Sequence, residues 1–203
     1  MGVTPETVIE ANRPDPRRCS GATNPSGRPM NLFFRFLRVF LPAFFSRVKT
    51  GLLDLHIIRS AVWLGDQDPM GHMTNSRYSS FTDLGTMNFM GRTGALRAYR
   101  KRGWVPVVQY ESFHYIRMLK YPQKFELHTR LAGWQDVYIC FEHSFISRGT
   151  VCATSRMVAR LYGRRRARVT AAEAMDALGV HLESPPLHPA FLRTLEELKA
   201  RDA

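Results

Sequence analysis

The residues best placed for chemistry lie in one stretch, Gly65-Asp66-Gln67-Asp68-Pro69-Met70-Gly71-His72-Met73-Thr74-Asn75-Ser76-Arg77-Tyr78. A turn punctuated by Gly and Pro carries Asp68, and an apolar repeat at helical spacing (Tyr78, Phe81, Leu84, Phe89) follows at once. The first N–H groups of a helix have no intrahelical acceptor and sit at the positive end of its dipole. A thioester carbonyl set against them is polarised, and its developing oxyanion is stabilised. A carboxylate just upstream can attack the carbonyl carbon or deprotonate a water beside it. A helix start and an acid thus supply both halves of an acyl-transfer site without a Ser/His/Asp triad.

Each residue also has a plain structural reading. Asp68 before Pro69 is a ready turn former. His72 can orient a neighbour as easily as it can act as acid or base. Asn75 can serve as a helix N-cap. Asp83, on the predicted helix, is the alternative acid, with a structural hydrogen bond as its plainer role. Glu111 falls mid-strand, either buried near the site or exposed on an edge. His114, His128 and His143 fall in different strands without ligand spacing, so no metal is assigned and no cofactor is expected.

The elements that must position these residues are legible in outline. Residues 52–63 read as a strand, 75–90 as a helix, and 95–102 as a short basic helix stopped by Gly103. Strand patterns follow over 105–119, 124–134, 137–146 and 151–162, separated by turns at Lys120-Tyr121-Pro122, Gln135-Asp136 and Ser147-Arg148-Gly149. Thr170 and Glu173 form a capping box, and Pro189 opens a last short helix. One strand, one long helix and then consecutive strands predict an α+β domain, an antiparallel sheet around a helix.

The motif resembles a known family. Gly65-Asp66-x-Asp68-Pro69-x-Gly71 is similar to the active-site turn of 4-hydroxybenzoyl-CoA thioesterases. Asp68-x-x-x-His72-Met73-x-Asn75-x-x-Tyr78 resembles the signature of the wider thioesterase-like hotdog superfamily. Asp83-Leu84-Gly85, residues 102–108 and residues 124–136 resemble bacterial acyl-CoA thioesterase-like proteins and relatives of thioesterase superfamily member six. The resemblance implies a hotdog fold. It also implies Asp68 as the catalytic acid, the Asn75 N–H as donor to the thioester oxygen, His72 as an active-site residue, and Gly71, Thr74 and Tyr78 as substrate contacts. Met70 and Thr74 depart from the family pattern, which has a polar residue, often Asn, at the first and Asn at the second.

Boundaries follow: a lead over 1–29, an amphipathic aromatic-rich segment over 30–50, the hotdog domain over 51–168 and a C-terminal helical extension over 169–203. In the second segment Phe33, Phe36, Leu37, Phe40 and Phe44 share one helical face opposite Arg35 and Arg38, which suits an anionic membrane surface or a packed helix. Among 203 residues the net charge is +12, which points to an anionic partner. Acyl-CoA fits. Nucleic acid is set aside because no RNP-like, zinc-finger or helix-turn-helix pattern accompanies the charge. Three cysteines without CxxC spacing suit reduced thiols in a cytoplasmic setting, with peripheral membrane attachment as the variant. The expected activity is thioester hydrolysis on acyl-CoA or acyl-carrier substrates by a homodimer or higher homo-oligomer. The alternative is an acyl-CoA- or lipid-binding hotdog protein with little turnover.

Overall fold

The computed structural model describes residues 50–202. The expected lead and the aromatic segment over 31–45 lie outside the described residues. The order is β1 (His56–Ala61), a 3₁₀ turn (Leu64–Asp66), α1 (Asn75–Thr93), α2 (Ala95–Arg102), β2 (Val105–Tyr115), β3 (Lys124–Gln135), β4 (Tyr138–Ser147) and β5 (Thr150–Tyr162). A 3₁₀ turn (Arg164–Arg166), β6 (Arg168–Val169), α3 (Ala171–Asp176) and α4 (Pro189–Asp202) complete it. The strands form one antiparallel sheet in the order β1-β3-β4-β5-β2, with β6 also on β5.

Strand alternation explains the seating of α1. In β3, Phe125, Leu127, Thr129 and Leu131 are buried while Lys124 and Arg130 face solvent, the period-2 pattern of a sheet with one covered face. α1 lies against that face, with Tyr78, Phe81 and Leu84 among Leu127, Phe145 and Ala153, and with Phe89 and Met90 among Leu131, Phe141 and Met157. Between the two apolar clusters runs a polar row of neighbouring positions: His56, Thr129, His143 and Ser155, all buried. There α1 approaches most closely, because a Cβ on Gly85 would stand 2.3 Å from Thr129 Oγ1. His143 Nδ1 lies 3.0 Å from that hydroxyl.

The opposite face is covered too. Phe191 and Leu195 of α4 pack on Tyr138, Cys140 and Val158. Asp202 pairs with Arg160 and accepts from the Tyr138 hydroxyl at 3.0 Å. The preceding strap crosses β3 at Gly133, where Ser184 Oγ accepts from the Trp134 N–H at 2.8 Å.

Several boundaries differ from the sequence expectation for local reasons. β1 begins at His56 rather than 52, since Gly51 to Asp54 turn on a hydrogen bond from the Gly51 N–H to Asp54 Oδ2 at 2.7 Å. α1 runs three residues past 90 until Gly94 takes a left-handed φ of 84°. β2 stops at Tyr115 because the N–H groups of Ile116 and Arg117 both turn onto the Cys152 carbonyl, each at 2.8 Å. The last helix is not short: it has 14 residues, stabilised by its buried face.

Burial holds the His143 imidazole neutral and pushes its pKa from 6.5 down to about 3. His56 is shifted the same way, chiefly by burial. The folded value lies below the unfolded one, so below pH 6.5 the unfolded chain takes up a proton that the folded chain refuses. Stability is therefore expected to fall between pH 6.5 and about 3, by up to about 1.4 kcal/mol per pH unit for His143. Denaturant unfolding across that range checks this, and His143→Asn should flatten the dependence.

Candidate active site

The turn ahead of α1 is a small hairpin. Gln67 bridges Met73, the Asp68 N–H donates to the His72 carbonyl at 2.8 Å, and the Gly71 N–H donates back to the Asp68 carbonyl at 3.0 Å. Pro69 suits the second position of the turn, and Gly71 closes it with φ 78°, where a side chain would be strained. Asp68 Oδ1 accepts from the Met70 N–H at 2.9 Å and the His72 N–H at 3.1 Å. The turn-former reading of Asp68 is seen directly in these bonds. One oxygen builds the turn, while Oδ2 accepts no hydrogen bond from the described residues and is available to a ligand.

The hairpin is locked to its surroundings. The Thr74 N–H donates to the Asp66 carbonyl at 2.9 Å, and the Met73 N–H to the Leu119 carbonyl at 2.8 Å. Asp66 is almost fully buried; its Oδ2 accepts from the Trp63 N–H at 2.8 Å, and its Oδ1 faces Arg77 Nε at 3.5 Å. Arg77 also donates to the Gly65 carbonyl at 3.1 Å. Asp66 and Arg77 thus clamp the turn to the first turn of the helix. The motif spelled out Asp66, but only the fold shows Arg77 as its partner.

Thr74, not Asn75, is the N-cap. Its hydroxyl lies 3.2 Å from Ser76 Oγ and makes no capping bond; the Arg77 N–H donates to the Thr74 carbonyl at 2.9 Å, and the N–H groups of Asn75 and Ser76 have no acceptor among the described residues. Asn75 is the first helical residue, with its side chain exposed. His72 is half-buried, and its backbone bridges Lys120. Tyr78, expected as a substrate contact, points into the core instead. Its ring packs on Tyr115 and Phe145, and its hydroxyl accepts from the Leu119 N–H at 3.5 Å. It braces the helix start and leaves no surface for a substrate in the described chain.

Asp83 lies on α1 and faces Glu111 of β2. Partial burial, and then the like charge of Glu111, raises its pKa. Glu111 is half-buried and gathers hydroxyls: Ser79 Oγ at 2.9 Å, Thr82 Oγ1 at 2.6 Å and Ser155 Oγ at 3.1 Å. The sequence hint was a polar stripe (Ser79, Thr82, Asp83, Thr86) along one side of the helix. No cluster of His, Cys, Asp and Glu suited to a metal occurs among the described residues.

Comparison with known proteins identifies the family. A family model described as the thioesterase-like superfamily matches residues 62–195. The chain belongs to the thioesterase-like superfamily. It is similar to Protein THEM6 of Danio rerio, 30% identical over 128 residues that make up 63% of each chain. The match thus spans less than two thirds of that relative's length. Among solved structures it resembles the probable thioesterase YbaW of Escherichia coli (TM-score 0.57, 13% identity, covering 60% of this chain and 95% of that one). It also resembles DHNA-CoA thioesterase of Staphylococcus aureus (TM-score 0.51, 13% identity, 64% of this chain and 97% of that one). The superfamily fold is the hotdog, and the curled sheet around α1 is that fold.

The two aspartates of the turn are separable by stability. Asp66→Asn removes a buried charge that accepts from Trp63 and faces Arg77, and is expected to cost about 2 kcal/mol. Asp68→Asn keeps an acceptor toward Met70 and His72 and should cost less than about 1 kcal/mol. Paired thermal melts check the order; a larger loss at Asp68 would mean that the turn depends on its charge.

Proposed function

We propose that the protein hydrolyses acyl-CoA thioesters, with Asp68 as nucleophile or general base and the Asn75 N–H as donor to the thioester oxygen. The observation that carries this reading is the free Oδ2 of a carboxylate whose other oxygen is pinned by two backbone N–H groups, in a turn bonded to an uncapped helix start. A pinned carboxylate loses little freedom on reaching its working geometry. A relative of the same fold is named for a CoA thioester, which supports CoA as the thiol.

Asp68→Asn preserves shape but removes the charge and most of the basicity. Turnover in a thiol-release assay over a panel of acyl-CoAs is expected to fall roughly 100-fold or more. Asp83→Asn is the paired comparison and should lose far less. Abolition by Asp83→Asn with near-normal Asp68→Asn would move the chemistry to the helix carboxylate. Acyl-CoA binding by wild type without any turnover would identify a binding protein instead.

The site also bears on assembly. The enclosed apolar space beside Phe89, Met90 and Leu131 amounts to about 30 Å³, room for roughly one water and far too little for an acyl chain. The acyl group needs the open flank of α1 beside β2. No strand among the described residues pairs with the far edge of β2, which exposes Val105, Val107, Val108 and Tyr110. We infer that β2 pairs with β2 of a second copy and that the acyl groove is completed at that seam. Light scattering at micromolar concentration should give twice the chain mass, and Val107→Lys with Val108→Lys should halve it. A single-chain mass for the wild type would overturn the pairing.

A further inference from the structure

We propose that a basic cleft at the active-site end of the sheet seats the phosphates of the CoA nucleotide, and so selects CoA over a thioester lacking that nucleotide. The inference rests on the hydrolase reading and assigns the substrate's leaving group a place. The cleft is an open space of about 950 Å³ between the 120–124 loop and the β4–β5 hairpin, with Arg59 and Glu126 along one wall.

Its charge is lopsided. Arg59, Lys120, Lys124 and Arg148 line it, opposed by Glu126 alone. Glu126 is already engaged, with Arg59 Nε at 2.9 Å and His128 Nε2 at 3.0 Å. Lys120, Lys124 and Arg148 form no ion pair among the described residues, and all three are exposed. Three unneutralised cations around one concavity mark a place for a multiply charged anion such as the phosphates of a nucleotide.

The hairpin tip reinforces this. Arg148 and Gly149 occupy its two central positions with φ 50° and 73°. Such turns favour Asn-Gly, and arginine is poorly suited to the left-handed region. The hairpin nevertheless places an arginine in the lining of the cleft. Tyr121, 47% exposed, adds an aromatic face on which a purine can stack.

The cleft is also held in register with the reacting end. Lys120 bridges His72, the Met73 N–H donates to the Leu119 carbonyl at 2.8 Å, and the Val62 N–H donates to the Gln123 carbonyl at 2.9 Å. The segment carrying the cations is therefore hydrogen-bonded to the hairpin that carries Asp68. A thioester at the start of α1 can leave its pantetheine arm running over this seam toward the cleft.

The test separates this inference from the hydrolase reading. Calorimetric titration of the full chain with CoA, with adenosine 3′,5′-bisphosphate and with pantetheine needs no turnover. CoA and the bisphosphate should bind, with affinity falling as salt rises, and pantetheine should bind far more weakly. Lys120→Ala/Lys124→Ala/Arg148→Ala should weaken both phosphate-bearing probes by at least about 30-fold, and Lys124→Glu alone should weaken them measurably. In turnover, the ratio of kcat/KM for acyl-CoA to that for the matching acyl-pantetheine should collapse toward one in the triple variant. Undiminished CoA binding by a folded triple variant, or equal binding of CoA and pantetheine by wild type, would overturn the cleft assignment. Phosphate-dependent binding with no hydrolysis by wild type would uphold the cleft and overturn the hydrolase.

Discussion

The architecture depends on one close approach, that of α1 to the sheet at Gly85. With no side chain there, the helix backbone settles against Thr129 and His143, and any Cβ would meet Thr129 Oγ1 at 2.3 Å. Lifting the helix would open both apolar clusters, since Phe81 and Leu84 lie on one side of that point and Phe89 and Met90 on the other. The same contact sets how deep the helix start sits relative to the end of β1. The buried, neutral His143 beneath it has its Nδ1 against the Thr129 hydroxyl, while its Nε2 meets no partner among the described residues.

From that seat the working end follows. A helix start is electropositive wherever it lies, but it is useful only if its N–H groups are left open and a carboxylate is held beside them. Here Asp66, Arg77, Tyr78 and the Leu119 backbone secure the surrounding chain, so the cap position need not use its side chain. Rigidity is supplied by groups engaged with one another. The unpinned oxygen of Asp68 and the open helix start are the exceptions, and they lie in the same knot of hydrogen bonds.

The other flank of α1 is built differently. Glu111 is surrounded by the hydroxyls of Ser79, Thr82 and Ser155, and its charge acts on Asp83. Three hydroxyls turned toward one carboxylate make that wall polar where β2 leaves the sheet open. The apolar half of any acyl groove must then come from the exposed valines of β2 and whatever pairs with them. Surface charge is divided as well: one basic cluster lies with the 120–124 loop and Arg148, and another with Arg97, Arg100 and Lys101 at the far end of α1.

Much of this was legible in the sequence, because local physics writes itself into residue order. Period-2 alternation marked β3, β4 and β5, a glycine stop marked the end of α2, the Thr170–Glu173 capping box marked α3, and the 65–78 motif marked the family and the helix start that its turn precedes. What local pattern could not show is which side chains meet across the fold. Tyr78 reads as a substrate contact until Phe145 and Leu119 arrive from 67 and 41 residues away. Arg77 reads as a solvated helix charge until the buried Asp66 turns toward it. The end of β2 is invisible without the Cys152 carbonyl that receives Ile116 and Arg117. The sequence by itself determined the fold class, the order of its elements and the acid ahead of the helix. Only the tertiary structure decided which oxygen of that acid is free, which residues brace it and where the positive charge is concentrated. Those depend on contacts between distant segments, and no periodicity along the chain encodes them.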